Sequence, residues 1–140
     1  MTDRIEKARE RAYEIIQQRG LCGCMNNTKW NELRTAMLNE MPFPPRYVVK
    51  YLFEDEAAVA AQAQLIGKDA PYMGDWDEGF DPDGFFAIEW VMVRPRYLKH
   101  RGRLVPPKVV DAGEKFVEIL KRYSINYEES DGAYRIYGYR

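Results

Sequence analysis

Apolar residues recur at helical spacing twice near the start of the chain. Ile5, Ala8, Ala12, Ile15 and Ile16 fall on one stripe and predict a helix over 3–19. Asp3, with Glu6 three residues on, has the form of a capping box, and Gly20 stands where a helix end favours a positive φ. Trp30, Leu33, Met37 and Met41 make the stripe of a second helix, with Asn27 or Thr28 as its N-cap. P-F-P-P at 42–45 stops it, because proline lacks an amide and clashes with the preceding turn.

The pattern then changes. R-Y-V-V-K-Y-L-F at 46–53 is rich in β-branched and aromatic residues and predicts a strand. Residues 54–67 have high helix propensity and a weak stripe, which suits a short helix. F-F-A-I-E-W-V-M-V at 85–93 is nearly all apolar, as a central strand covered on both faces would be. Pro107 suits a first helical turn, so a helix is expected over 107–123. It would carry Val109, Val110, Phe116, Val117 and Leu120 on one face, with Asp111–Lys115 and Glu118–Arg122 as i,i+4 pairs. Asp131-Gly132 between two alternating runs is a two-residue hairpin turn. The sum is one α+β domain over 1–140: a mainly antiparallel sheet, N-terminal helices, and one helix before a C-terminal β-hairpin.

Net charge is -1, so the chain as a whole offers no electrostatic case for a nucleic-acid or membrane partner. No apolar run reaches the length of a membrane span, and the charged start is unlike a signal peptide. Two cysteines, Cys22 and Cys24, do not make a disulfide framework, and the expected setting is the cytoplasm. Even with His100, the only histidine, they fall short of the four ligands of a closed zinc site. No cofactor or metal is expected.

Charge is concentrated in two places. G-D-W-D-E-G-F-D-P-D-G at 74–84 is acidic, and its Asp81, Asp83 and Gly84 echo a calcium loop. The match fails at both ends, with Gly79 first and Trp90 last, so turn geometry accounts for the residues. R-P-R-Y-L-K-H-R-G-R at 94–103 is basic and reads as a loop. Arg94, Arg96, Lys99, Arg101 and Arg103 could grip phosphates while Tyr97 stacks on a base; the plain alternative is a solvated loop of surface ion pairs. His100 has several cationic neighbours in the sequence. Glu89, inside the apolar run, is costly unless paired, and Arg94 or Arg96 is its expected partner; the alternative is a solvated face.

The blocks N-N-T-K-W-N-E-L, P-F-P-P, G-D-W, I-E-W and the terminal Y-G-Y resemble a family of small uncharacterised bacterial proteins, classed as a domain of unknown function. The resemblance covers nearly the whole chain. It implies one folded unit that includes the first helix, and it carries no catalytic residue or cofactor.

Three functions follow as expectations. The first is a non-enzymatic binding module, immunity- or antitoxin-like by analogy of size and fold, holding another protein through Trp76, Tyr97 and the charged loops. The second is RNA or phosphate binding through 94–103. The third is an enzyme using Glu89, Asp75 or Asp77 with His100, which requires those groups to meet in one pocket.

Overall fold

A computed structural model describes residues 2–140, with side chains from Arg4 onward. The expected capping role of Asp3 therefore lies outside the described side chains. The first helix, α1 (Thr2–Arg19), ends at Gly20 with φ +63°. The second, α2 (Asn27–Asn39), is capped one residue earlier than expected: the Asn26 side chain accepts from the Lys29 amide at 2.8 Å. Next come β1 (Arg46–Tyr51), α3 (Glu56–Ile66) and a 3-10 turn (Pro82–Ala87). They are followed by β2 (Ile88–Arg94), β3 (Arg96–Lys99), β4 (Lys108–Asp111), α4 (Gly113–Arg122), β5 (Glu128–Ser130) and β6 (Ala133–Tyr137).

The fold is α+β. Its main sheet has the order β1-β2-β6-β5 with antiparallel neighbours, and β3 and β4 form a separate two-stranded sheet. The central strand is covered on both faces, as its composition implied. Side chains alternate across it. Val91 and Val93, with Val49 and Tyr47 beside them on β1, join the core made with Trp30, Leu33 and Met37 of α2 and Phe116, Ile119 and Leu120 of α4. Lys50, Trp90, Met92 and Arg135 turn to the other face, which α3 covers with Val59 and Ile66.

Two expectations need correction. The region 94–103 is not all loop, since Arg96–Lys99 is a strand. The last helix starts at Gly113, not Pro107, because Lys108–Asp111 pairs with β3 and takes Val109 and Val110 with it. Asp111 accordingly caps the Gly113 amide at 2.8 Å instead of pairing with Lys115, while Arg122 does reach Glu118 at 3.3 Å.

The hairpin turn is as the sequence implied. Asp131 at φ +50° and Gly132 at φ +80° both sit in the left-handed region that a two-residue hairpin turn needs. Gly132→Ala is expected to lower stability by about 1–2 kcal/mol, the cost of a Cβ at that φ, as read from a urea unfolding midpoint. A midpoint shift of under about 0.3 kcal/mol would mean that the turn tolerates a side chain.

Candidate functional site

The two charged stretches do not neutralise each other. In the acidic one, Asp75 accepts from the Asp77 and Glu78 amides, Asp81 from the Asp83 amide, and Asp77 pairs with Arg34 at 3.3 Å. The backbone amide of Glu78, then those of Gly79 and Asp77, hold the Asp75 carboxyl below its ordinary range. Turn geometry accounts for these acids.

Trp76 is only 1% exposed. It packs at a tilt against Tyr47 and Phe80, and its indole N–H donates to the Pro45 carbonyl at 2.8 Å. Gly74 passes so close to β1 that an added Cβ would lie 2.1 Å from the Pro45 oxygen. The stretch is therefore a strap pinned across the start of β1, and Trp76 is a core plug with no surface to offer a partner.

The basic stretch divides in two. Arg94 is buried and Arg96 half-buried, and both converge on Asp69, a residue that nothing in the sequence pattern singles out. Arg94 donates to Asp69 Oδ1 from Nε at 3.1 Å and Nη2 at 2.9 Å, and from Nη1 to the Asp131 carbonyl at 2.8 Å. Arg96 donates from Nη2 to Oδ2 at 3.0 Å; its Nε, 2.9 Å from Oδ1, makes a charge contact without hydrogen-bond alignment. Burial pushes the Asp69 carboxyl up, and the two guanidiniums outweigh it, so the net direction is down. Tyr97 packs edge-on against Phe43 with centroids 4.6 Å apart. These residues anchor the base of a hairpin arm.

Beyond them the arm is open. Lys99, His100, Arg101 and Arg103 are exposed, as is Lys108 on the returning strand. Arg101 closes the loop by donating to the Pro106 carbonyl at 3.1 and 2.8 Å. No acid occurs between Glu89 and Asp111, and Lys99 stands directly opposite Lys108. Like charges facing across strands are unfavourable. Three exposed apolar side chains share the arm: Leu104 is 96% exposed, Val105 47% and Val109 42%.

Glu89 is buried, and its partners are not the arginines expected. Lys50 and the β2 residue Trp90 are register partners, as are Tyr51 and Ile88, which leaves Glu89 as the extra residue of a β-bulge. A bulge re-aims the side chain it carries. The Glu89 carboxylate takes Lys50 Nζ at 2.9 Å and a second bond from Arg19 Nη1 of α1. Its backbone carbonyl accepts from the Gly138 amide at 2.7 Å. Burial pushes its carboxyl up, and the bonds from Arg19 and Lys50 outweigh that, so it is held below its ordinary range.

The four groups of the enzyme reading are thus dispersed. Glu89 is sealed under α1 and α3, Asp75 and Asp77 lie in the strap, and His100 is out on the arm. Among the described residues no group of three or more His, Cys, Asp or Glu is placed to hold a metal ion. Cys22 and Cys24 are exposed free thiols, and their backbones pair with Arg140 and Gly138.

A family model described as "Family of unknown function (DUF6678)" matches residues 12–140. The chain belongs to that family. No curated protein matches it, and no solved structure does. Among the described residues of this DUF6678 member, no helix is long and apolar enough to cross a membrane.

Sequence reasoning passed over Leu104 and Val105, whose signal was available: apolar residues at a hairpin tip between cations have no core to reach. It also passed over Lys50 and Arg46, two β1 cations on the α3-covered face, because a charged residue in a strand looks the same whether it meets water or a helix.

Proposed function

We propose that this protein is a non-enzymatic binding module of the cytoplasm, and that its β3–β4 arm docks on an acidic protein surface. One observation carries the reading. A fully exposed leucine stands on an arm whose every charge from Arg96 to Lys108 is positive and whose Lys99 faces Lys108. An apolar tip rimmed by cations suits a partner that buries the leucine and sets carboxylates around it. The free thiols of Cys22 and Cys24 suit a reducing compartment.

A protein is favoured over RNA because His100 is the one exposed ring the arm offers a base. Tyr97 is turned onto Phe43, and Arg94 and Arg96 already serve Asp69. The cations left for phosphates are Lys99, Arg101, Arg103 and Lys108.

The test compares capture from host lysate by the tagged chain, by Leu104→Ser/Val105→Ser, and by Arg103→Ala/Lys108→Ala, with nucleic acid quantified in each eluate. A stoichiometric acidic protein is expected at about 200 mM salt. The apolar pair of substitutions should weaken its capture about tenfold or more, as loss of a central anchor does. Nucleic acid that elutes as salt rises, indifferent to Leu104, would replace this reading with the phosphate-binding one. An empty eluate from the unaltered chain would remove the arm as a docking element.

A further inference from the structure

Away from the arm, on the α3 side of the sheet, the first residue of β1 poses a problem of charge. Arg46 is 5% exposed. Its Nη2 donates to the Lys68 carbonyl, and its Nε has no acceptor among the described residues. Among the described residues no carboxylate lies within ion-pairing distance of it. Its cross-strand neighbour is another arginine, Arg94, and the nearby acid Asp69 is already shared by Arg94 and Arg96. A buried cation without a counter-charge is costly, and proteins seldom keep one unless something anionic meets it.

Arg46 lines a cleft of about 390 Å³ between α3 and residues 72–75, which lead into the strap, within the range of small-molecule sites. The rest of the wall is mostly apolar. Leu65 and Ile66 come from α3, Tyr72 and Met73 from the segment just before the strap. Leu65 is 57% exposed, Tyr72 59% and Met73 44%, so three large apolar side chains meet at one rim. The guanidinium lies over the Tyr72 ring, 5.2 Å from its centroid. Tyr72 is itself exposed, so this cover is a side chain at the surface. Asp75 also lines the cleft. Its carboxylate opposes negative charge on an occupant, so only a charge seated on Arg46 is compensated.

We infer that this cleft binds a small monocarboxylate with an apolar body, its carboxylate on Arg46 and its body against Leu65, Ile66 and Met73. Arginine and carboxylate match as a two-pronged, charge-assisted pair. The apolar wall takes the rest of the ligand. The site is separate from the arm and holds whether or not the arm binds protein.

The probes are phenylacetate and hexanoate, with phenylacetamide as the uncharged analogue of the first, titrated calorimetrically into the full chain. At least one monocarboxylate is expected to bind, and phenylacetamide to bind about tenfold or more weakly than phenylacetate. Arg46→Met keeps the stem and removes the charge. It should reduce carboxylate binding by the same factor while the unliganded protein keeps its Tm or gains a few degrees, since a buried unpaired charge is gone. Leu65→Trp fills the rim from an exposed position and should block binding with Arg46 intact. If Arg46→Met does not fold, Leu65→Trp and the acid-against-amide comparison decide. The inference is overturned if neither acid binds, if the amide binds as well as the acid, or if both variants bind like the unaltered chain.

Discussion

Glu89→Ala is expected to destabilise the protein by about 3–5 kcal/mol, the range for removing one member of a buried ion pair. The reason lies in what is left behind. Lys50 is 2% exposed, and among the described residues its ammonium reaches only Glu89 and the Tyr51 carbonyl, the latter at 3.2 Å. Without the carboxylate, a cation remains enclosed between sheet and helix. Arg19, at 44% side-chain exposure, can return to water and contributes less. Urea unfolding with matched m-values measures the loss. The double variant Lys50→Met/Glu89→Leu should recover most of it, because an apolar pair has no charge to desolvate. A loss below about 1 kcal/mol in the single variant would show that Lys50 finds water, and that the pair is not sealed.

The same carboxylate gives a pH dependence with a definite sign. Its folded pKa is below the ordinary 4.5. Its contribution is therefore fully present above that value and is lost as pH falls through the lower folded one. Asp69 and Asp75 shift in the same direction. Stability should fall with acid below about pH 4.5, and the fall should be shallower in Glu89→Ala, which has one fewer proton to take up.

Trp76→Ala is the second large effect, about 3–5 kcal/mol, the usual cost of emptying a buried indole site. The ring fills the space between Tyr47 and Phe80, at centroid distances of 4.4 and 4.9 Å. It also carries the N–H that satisfies Pro45. Trp76→Phe keeps much of the volume and loses the hydrogen bond, so it should cost about 1–3 kcal/mol. Thermal unfolding of the two variants side by side separates packing from hydrogen bonding. If phenylalanine were as damaging as alanine, the bond to Pro45 would matter more than the filled volume, and the packing account would fail.

Much of the fold was legible where the signal was local. The Asp131-Gly132 turn, the proline stop after α2 and the double-sided burial of β2 each follow from residues within one element. The failures have a shared cause. Lys108–Asp111 is four residues long and largely exposed, so neither length nor alternation marks it as a strand; only its register with Arg96–Lys99 does. Pro106 and Pro107 meanwhile imitate a helix start.

Of the candidate residues, exposure at Lys99, Arg101 and Arg103 was legible from composition. The partnership of Glu89 was not. Its binder Lys50 is 39 positions away in an ordinary-looking strand, and the bulge that joins them leaves no mark in a single sequence. Asp69 sits in a short polar connection typical of a turn, and only the three-dimensional path shows two arginines waiting for it.

The place of β6 has a consequence for how the protein is made. This late strand lies beside β2, inside the sheet, and the residues after it pair with Cys22 and Cys24. While the chain is being synthesised, β1 and β2 can meet early, but the other edge of β2 stays open until residues 133–140 have left the ribosome. During that interval the apolar run Val91-Met92-Val93 is a bare strand edge, the kind that recruits neighbouring chains. Chaperone demand should therefore concentrate between the emergence of β2 and that of β6, and deleting residues 133–140 should produce aggregates more readily than deleting the same number of residues from α1.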